Sequence, residues 1–400
     1  MKITALETIR IAERPNLLWL QVHTDEGITG LGETFRGAAA VEAYIHETLA
    51  PRMLGENPAR IEHLSQRAKG YLGFRSSGVE VRGNSAFDIA LYDLWGKATG
   101  QPVAQLLGGF TRDRIRTYNT CAGTEYMKTD TGQRTANFGL SKGGEYDDLN
   151  GFLHRADELA HSLLEDGITA MKIWPFDFAA EKTGGQDITA EDLKSALEPF
   201  DKIRKAVGDR MEIMVEFHSM WKLLPAMKIA RALAPYGTYW HEDPIKMDSL
   251  ALLKRYAEAS EAPICASETL GELGAFRDLL ETGVAGIIML DIAWCGGLTE
   301  ARKIAHMAEA WHLPVAPHDC TGPVVLTAST HLSLAASNAL VQESVRAYYR
   351  TWYRDLLTAL PDISGGTITV PPGPGLGTEL NPDLDQAFNT SRRISTKDER

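Results

Sequence analysis

Three glutamates, Glu216, Glu242 and Glu268, stand 26 residues apart, twice over. Each closes a short apolar run: Met214-Val215-Glu216, Tyr239-Trp240-His241-Glu242 and Cys265-Ala266-Ser267-Glu268. The interval is about one strand, one helix and two loops. Three successive βα units would therefore bring three carboxylates to one end of a parallel sheet. Carboxylates at contact distance raise each other's pKa, so a cation must neutralise them. All-oxygen ligands with open positions suit Mg²⁺.

Other reactive side chains close neighbouring apolar runs. Asp291 and His318 end two consecutive strand candidates and are expected side by side at one height. A carboxylate beside an imidazole fixes its tautomer, as a general base requires. Lys172 ends an earlier strand, where an ammonium can meet a substrate carboxylate. His218 follows Glu216 by two residues, and strand alternation would point both to one face, so His218 is expected beside the metal but not on it. Glu343 ends the last strand candidate. His241, next to Glu242, should point away and is read as structural. Trp174, Trp221 and Trp294 lie near strand ends, as pocket walls or core.

These positions need a scaffold of alternating strands and helices. Strand candidates are 116–120, 169–174, 212–218, 238–243, 263–268, 286–292, 314–319 and 340–343. Amphipathic helices lie between them, such as 152–166, which Gly167 stops, and 298–311. Eight strands in about 240 residues indicate a (β/α)₈ barrel, which gathers strand ends round one centre as an open doubly wound sheet would not. Residues 2–34 read instead as antiparallel strands, with Gly30 and Gly32 at expected bulges. Helices follow at 38–50 and 58–70, and then a longer one carrying Asp88 and Asp93 that ends near Gly100. The expected layout is an α+β capping domain over 1–115, a barrel over 116–355, and a segment 356–400 that returns to the cap. Two long excursions, 122–150 and 175–189, interrupt the short-loop pattern and are lid candidates.

Composition narrows the function classes. Four hundred residues with 44% hydrophobic content can bury a large core. A net charge of −12 argues against nucleic acid. No apolar run reaches the roughly 18 residues that span a membrane. The start of the chain lacks a signal-peptide core, so a cytoplasmic location is expected. Cys121, Cys265, Cys295 and Cys320 show no paired spacing and are expected to be free.

Taken together, "SAFDIALYDLWGKATGQPVAQLLGG" (85–109), Lys172, Glu216, "HEDP" at Glu242, "SETLG" at Glu268, "DIAWCGG" from Asp291, His318 and Glu343 resemble the enolase superfamily, mandelate racemase branch. The resemblance covers nearly the whole chain. It implies Mg²⁺ on Glu216, Glu242 and Glu268 and removal of a proton α to a carboxylate, with the enediolate stabilised as charge develops. It also implies that Glu343 donates a hydrogen bond to a substrate oxygen, a role that requires its proton. Three positions depart from the common pattern. Trp174 stands where a second base often follows Lys172. Glu216 replaces the usual Asp. His218 replaces the usual Asn, which is similar to the galactonate dehydratase-like acid-sugar dehydratases, where this histidine is a general acid.

The expectation is a Mg²⁺-dependent dehydratase of an aldonate or aldarate. His318, oriented by Asp291, would take the C2 proton; Mg²⁺, Lys172 and Glu343 would stabilise the enediolate; His218 would protonate the leaving hydroxyl. An epimerase, racemase or cycloisomerase using the same proton abstraction is the alternative, and a non-catalytic binding protein a third reading. Arg75, residues 13–17 and 70–82, or the 122–150 excursion would meet the distal substrate. A homo-oligomer is expected.

Overall fold

The computed structural model describes residues 1–70, 78–128, 132–140 and 144–397. The expectation placed on Arg75, and those on residues 71–77 and on 129–131 and 141–143 of the long excursion, lie outside these residues.

The chain opens with β1 (Ile3–Ile11), β2 (Leu17–Thr24) and β3 (Thr29–Phe35). They form an antiparallel sheet with buried apolar residues on the face that meets the helices. Gly30 and Gly32 are not at bulges, because β2 and β3 pair in unbroken register from Leu17–Phe35 to His23–Thr29. They are small for another reason: the long helix Val79–Thr99 lies directly on β3. A Cβ at Gly30 would sit 2.0 Å from the Ala90 carbonyl oxygen, and one at Gly32 1.9 Å from that of Ala86.

Eight parallel strands follow: β4 (Ile115–Thr120), β5 (Ala170–Ile173), β6 (Glu212–Glu216), β7 (Trp240–Glu242), β8 (Ile264–Ala266), β9 (Ala285–Leu290), β10 (Val315–Pro317) and β11 (Gln342–Ser344). They pair in chain order, and β11 returns to pair with β4. A bridge from Val315 to Ala339 completes the ring between β10 and β11. The fold is a modified (β/α)₈ barrel with an α+β cap. Its strands are shorter than the apolar runs suggested, because several runs continue past the last ladder hydrogen bond into loops.

The final residues leave the ring. A hairpin of β12 (Asp362–Ser364) and β13 (Thr367–Thr369) pairs antiparallel with β4, and β14 (Thr390–Thr396) adds to β1 at the edge of the cap sheet. Buried carboxyl groups of the cap fasten these parts. Asp93 accepts from the backbone N–H of Leu31 and of Leu376, joining β3 and the tail to the long helix. Asp88 accepts from the N–H and hydroxyl of Thr299, in the first turn of helix Gly297–Ala310. Glu33 accepts from Trp19 and from the Val325 N–H, in the first turn of helix Pro323–Ala335. Burial pushes the three carboxyls up, to about 6, 7 and 8 respectively.

Candidate active site

Strand alternation builds the site in two storeys. Tyr118, Ala170, Met214, Trp240, Cys265, Met289, Ala316 and Val341 share one apolar layer inside the barrel. Two residues further on, side chains return to the same face. Those positions are Thr120, Lys172, Glu216, Glu242, Asp291, His318 and Glu343, with Ser267 the exception at β8. Glu268 follows that strand by two residues and reaches the site from the loop. The constant 26-residue interval is therefore not the register. Glu216 is level with Glu242, whereas Glu242 is level with Cys265.

Lys172 is the electrostatic centre. Its Nζ lies 2.6 Å from Glu242 Oε1, 2.9 Å from Glu343 Oε1 and 3.6 Å from Glu216 Oε2, with all four side chains buried. Burial opposes the ammonium, but Glu242 and Glu343 outweigh it and hold Lys172 well above the usual lysine range. Burial, with Glu242 and Glu268 close by, pushes Glu216 well up. Lys172 is thus paired with Glu242 and Glu343 at the strand end where the sequence placed it.

Glu343 differs from expectation. Burial alone would raise it, but Lys172 and His318 hold it below the usual carboxylate range. Its Oε1 accepts from the Thr120 hydroxyl and its Oε2 from the Asp319 N–H at 2.8 Å. Both of its oxygens accept hydrogen bonds in this arrangement, whereas the expected role would have the group donate one.

Asp291 and His318 meet as the spacing required. Pro317 is level with Leu290, so the next residues of the two strands are level as well. His318 Nδ1 is 2.7 Å from Asp291 Oδ2, and its Nε2 is 2.6 Å from Glu268 Oε2. Burial disfavours the imidazolium, but Glu268, Glu343 and Asp291 more than reverse this and hold His318 well above the usual histidine range. Reciprocally, burial acts upward on Glu268 while His318 holds it far below the usual carboxylate range.

His218 reaches the site by another route than alternation. The strand ends at Glu216, whose Oε1 accepts from the His218 N–H at 2.6 Å. His218 and Ser219 then take left-handed backbone conformations, with φ of 48° and 56°. Such conformations cost non-glycine residues and cluster at functional sites. The turn swings the ring towards Asp177, 2.7 Å from its Nδ1. His241 does point away, hydrogen-bonded by Thr238, Tyr256 and Ser260, and burial pushes it down to about 3.

These groups line a cavity of about 20 Å³, walled by Lys172, Glu216, His218, Glu268, His318 and Thr120, and by Trp174, Trp294, Tyr126 and Arg36. Trp221 is buried in the core instead. Asp177, Gln133, Thr120 and Arg36 were missed from sequence. Counting two residues on from Tyr118 would have found Thr120. Asp177 and Gln133 lie within the long excursions, where no periodicity aims a side chain. Among the described residues no three His, Cys, Asp or Glu side chains are arranged to ligate one ion. The reason lies in the rotamers: Glu242 turns to Lys172 and Trp240, and Glu268 to His318. All four cysteines are free, three of them buried.

Residues 155–384 match the model of the enolase C-terminal domain-like family, and residues 4–108 that of the mandelate racemase / muconate lactonizing enzyme N-terminal domain. The chain belongs to the enolase superfamily, in its mandelate racemase branch. Among solved structures, an enolase of the mandelate racemase subgroup from Agrobacterium tumefaciens is 68% identical, covers 99% of each chain and superposes with a TM-score of 0.89. An enolase from environmental sequencing of the Sargasso Sea is 45% identical with a TM-score of 0.88, also over 99% of each chain. D-galactonate dehydratase of Ralstonia nicotianae is 32% identical over 407 residues, which cover 100% of this chain and 96% of the relative. That of Ralstonia pickettii is 31% identical over 405.

Proposed function

We propose that this protein is a Mg²⁺-dependent acid-sugar dehydratase, converting an aldonate or aldarate into a 2-keto-3-deoxy acid. One observation carries the reading: two histidines, each with a carboxylate on Nδ1, line the same small cavity as Lys172, Glu216 and Glu268. Nδ1 is thereby occupied in both rings, and Nε2 of His318 is shared with Glu268. Similarity to the D-galactonate dehydratases over the full chain supports the same class.

Glu216, Glu242 and Glu268 suit a hard divalent cation by their chemistry. They are three buried carboxylates, and Glu216 Oε2 has no hydrogen-bond partner among the described residues. When bound, Mg²⁺ would supply positive charge for the substrate carboxylate as the enediolate forms. Were Glu268 to turn to a cation, its contact with His318 Nε2 would loosen and that nitrogen would face C2. His318 takes the C2 proton while Asp291 keeps Nδ1 occupied. Lys172 offsets charge at the carboxylate end. His218 protonates the C3 hydroxyl, the C3–O bond breaks and water leaves. The resulting enol tautomerises to the ketone. Glu343 orients Lys172 and the Thr120 hydroxyl as an acceptor. A cavity of about 20 Å³ holds roughly one water. Tyr126 and Met127, from the 122–150 excursion, are among its wall residues.

Trp174 carries no base to the opposite face. It packs against Tyr126, Phe152 and His218. Epimerisation would have to use His218 or a residue of the long excursions as its second base.

The test is ¹H NMR in D₂O with Mg²⁺ and a panel of aldonic and aldaric acids. The expected result is a new 3-deoxy signal from one substrate. His218→Asn should abolish that signal while C2 proton exchange continues. Elimination at near wild-type rate in His218→Asn would remove its acid role, and inversion at C2 without water loss would replace dehydration by epimerisation.

A further inference from the structure

Asp177 is fully buried at the first position of helix Asp177–Thr183, inside the excursion that follows β5. Among the described residues the only ionisable side chain hydrogen-bonded to it is His218, whose Nδ1 lies 2.7 Å from Oδ2. Gln133, from the other excursion, has its Nε2 3.2 Å from the same Oδ2, 3.2 Å from His218 Nδ1 and 2.7 Å from the Tyr126 hydroxyl. Asp177 Oδ1 has no partner among the described residues. A buried carboxylate is costly unless it is hydrogen-bonded to a group that rewards its charge. No helix-capping bond accounts for Asp177, since its oxygens reach Gln133 and His218 and not the backbone of its own helix.

From this we infer that Asp177 is a positioning residue for His218, forming a second Asp–His pair that faces the Asp291–His318 pair across the cavity. A carboxylate only accepts hydrogen bonds, so it keeps the Nδ1 proton in place. Any proton that His218 exchanges with substrate then sits on Nε2, the nitrogen left for the cavity. Gln133 fixes the carboxylate from the opposite excursion, so both long loops contribute to one imidazole. The long excursion after β5 thus has a function: it delivers an acceptor that strand geometry cannot place behind His218. The inference rests on the proposed acid role of His218 for its catalytic consequence, and not for the tautomer itself.

The test uses Asp177→Asn and Asp177→Glu in the full chain. Protein labelled with ¹⁵N-histidine is examined first, with the His218 resonances assigned by their loss in His218→Asn. The wild type should show Nδ1 protonated, and Asp177→Asn should shift the ring towards the Nε2–H form, because an amide can donate to Nδ1. Asp177→Glu should restore the wild-type pattern at least in part. An unchanged tautomer in Asp177→Asn overturns the inference whatever the substrate is. With a substrate in hand, Asp177→Asn should lower kcat for elimination about 10²-fold or more, by analogy with the loss of tautomer control in other His–carboxylate pairs. KM and C2 proton exchange should stay near wild type. Equal loss of exchange and elimination would mean a structural role only. Should His218→Asn retain elimination, the acid role fails, while the tautomer result still decides the pairing.

Discussion

Lys172 offers the sharpest test of how this site holds its charge. Its ammonium touches Glu242 and Glu343 and lies near Glu216, all buried. Lys172→Met keeps the aliphatic stem and removes the cation, leaving three buried carboxylates facing one another. Breaking a buried ion pair by deleting one partner typically costs ~3–5 kcal/mol. Unfolding entropy of about 2.1 cal/mol/K per residue over 400 residues amounts to roughly 0.8 kcal/mol per degree. Thermal denaturation at pH 7 in EDTA should therefore show a Tm about 4–6 °C below wild type. At pH 4, where carboxylates can take up protons, the gap should shrink. With Mg²⁺ it should shrink as well, because a second cation serves the same oxygens. A fall below about 1 °C in EDTA at pH 7 would refute the claim that Lys172 neutralises this cluster.

Two further predictions concern β3. The Glu33 carboxyl, pushed up by burial to about 8 from an ordinary 4.5, holds its proton in the folded chain where the unfolded chain has released it. Its contribution is complete below about pH 4.5 and is lost as pH rises towards 8. Glu33→Gln has no proton to lose, so its urea midpoint should vary less over pH 5–9 and exceed wild type at pH 9; equal slopes would contradict the assignment. Gly32→Ala puts a methyl 1.9 Å from the Ala86 carbonyl oxygen. It should cost about 3 kcal/mol, the upper range for overpacking, because helix backbone must yield. Gly274→Ala, which meets nothing within 4 Å, serves as the control and should be neutral or slightly stabilising in urea denaturation.

Much of the architecture was legible in the residues themselves. Strand ends show as apolar runs closed by a charged side chain, and parity then decides which side chains share the barrel interior. Thr120, Lys172, Glu216, Glu242, Asp291, His318 and Glu343 all obey that rule. The pairing of Asp291 with His318 followed from the same parity on adjacent strands. The glycines of β3 were visible but misread, since a missing Cβ signals close approach as well as a bulge. Only packing tells the two apart.

Protonation, partnership and the loop-borne residues were decided in three dimensions. Whether Glu343 carries a proton depends on how deeply it is buried and how near Lys172 lies, and a linear chain encodes neither distance. His218 escapes strand parity because the ladder ends two residues before it and its backbone turns left-handed. Asp177 and Gln133 belong to irregular segments, where no repeat of 2 or 3.6 residues fixes direction. Short-range periodicity thus determined which residues the strands present to the centre of the barrel. The tertiary structure alone determined their charges, and which loop side chains stand behind them.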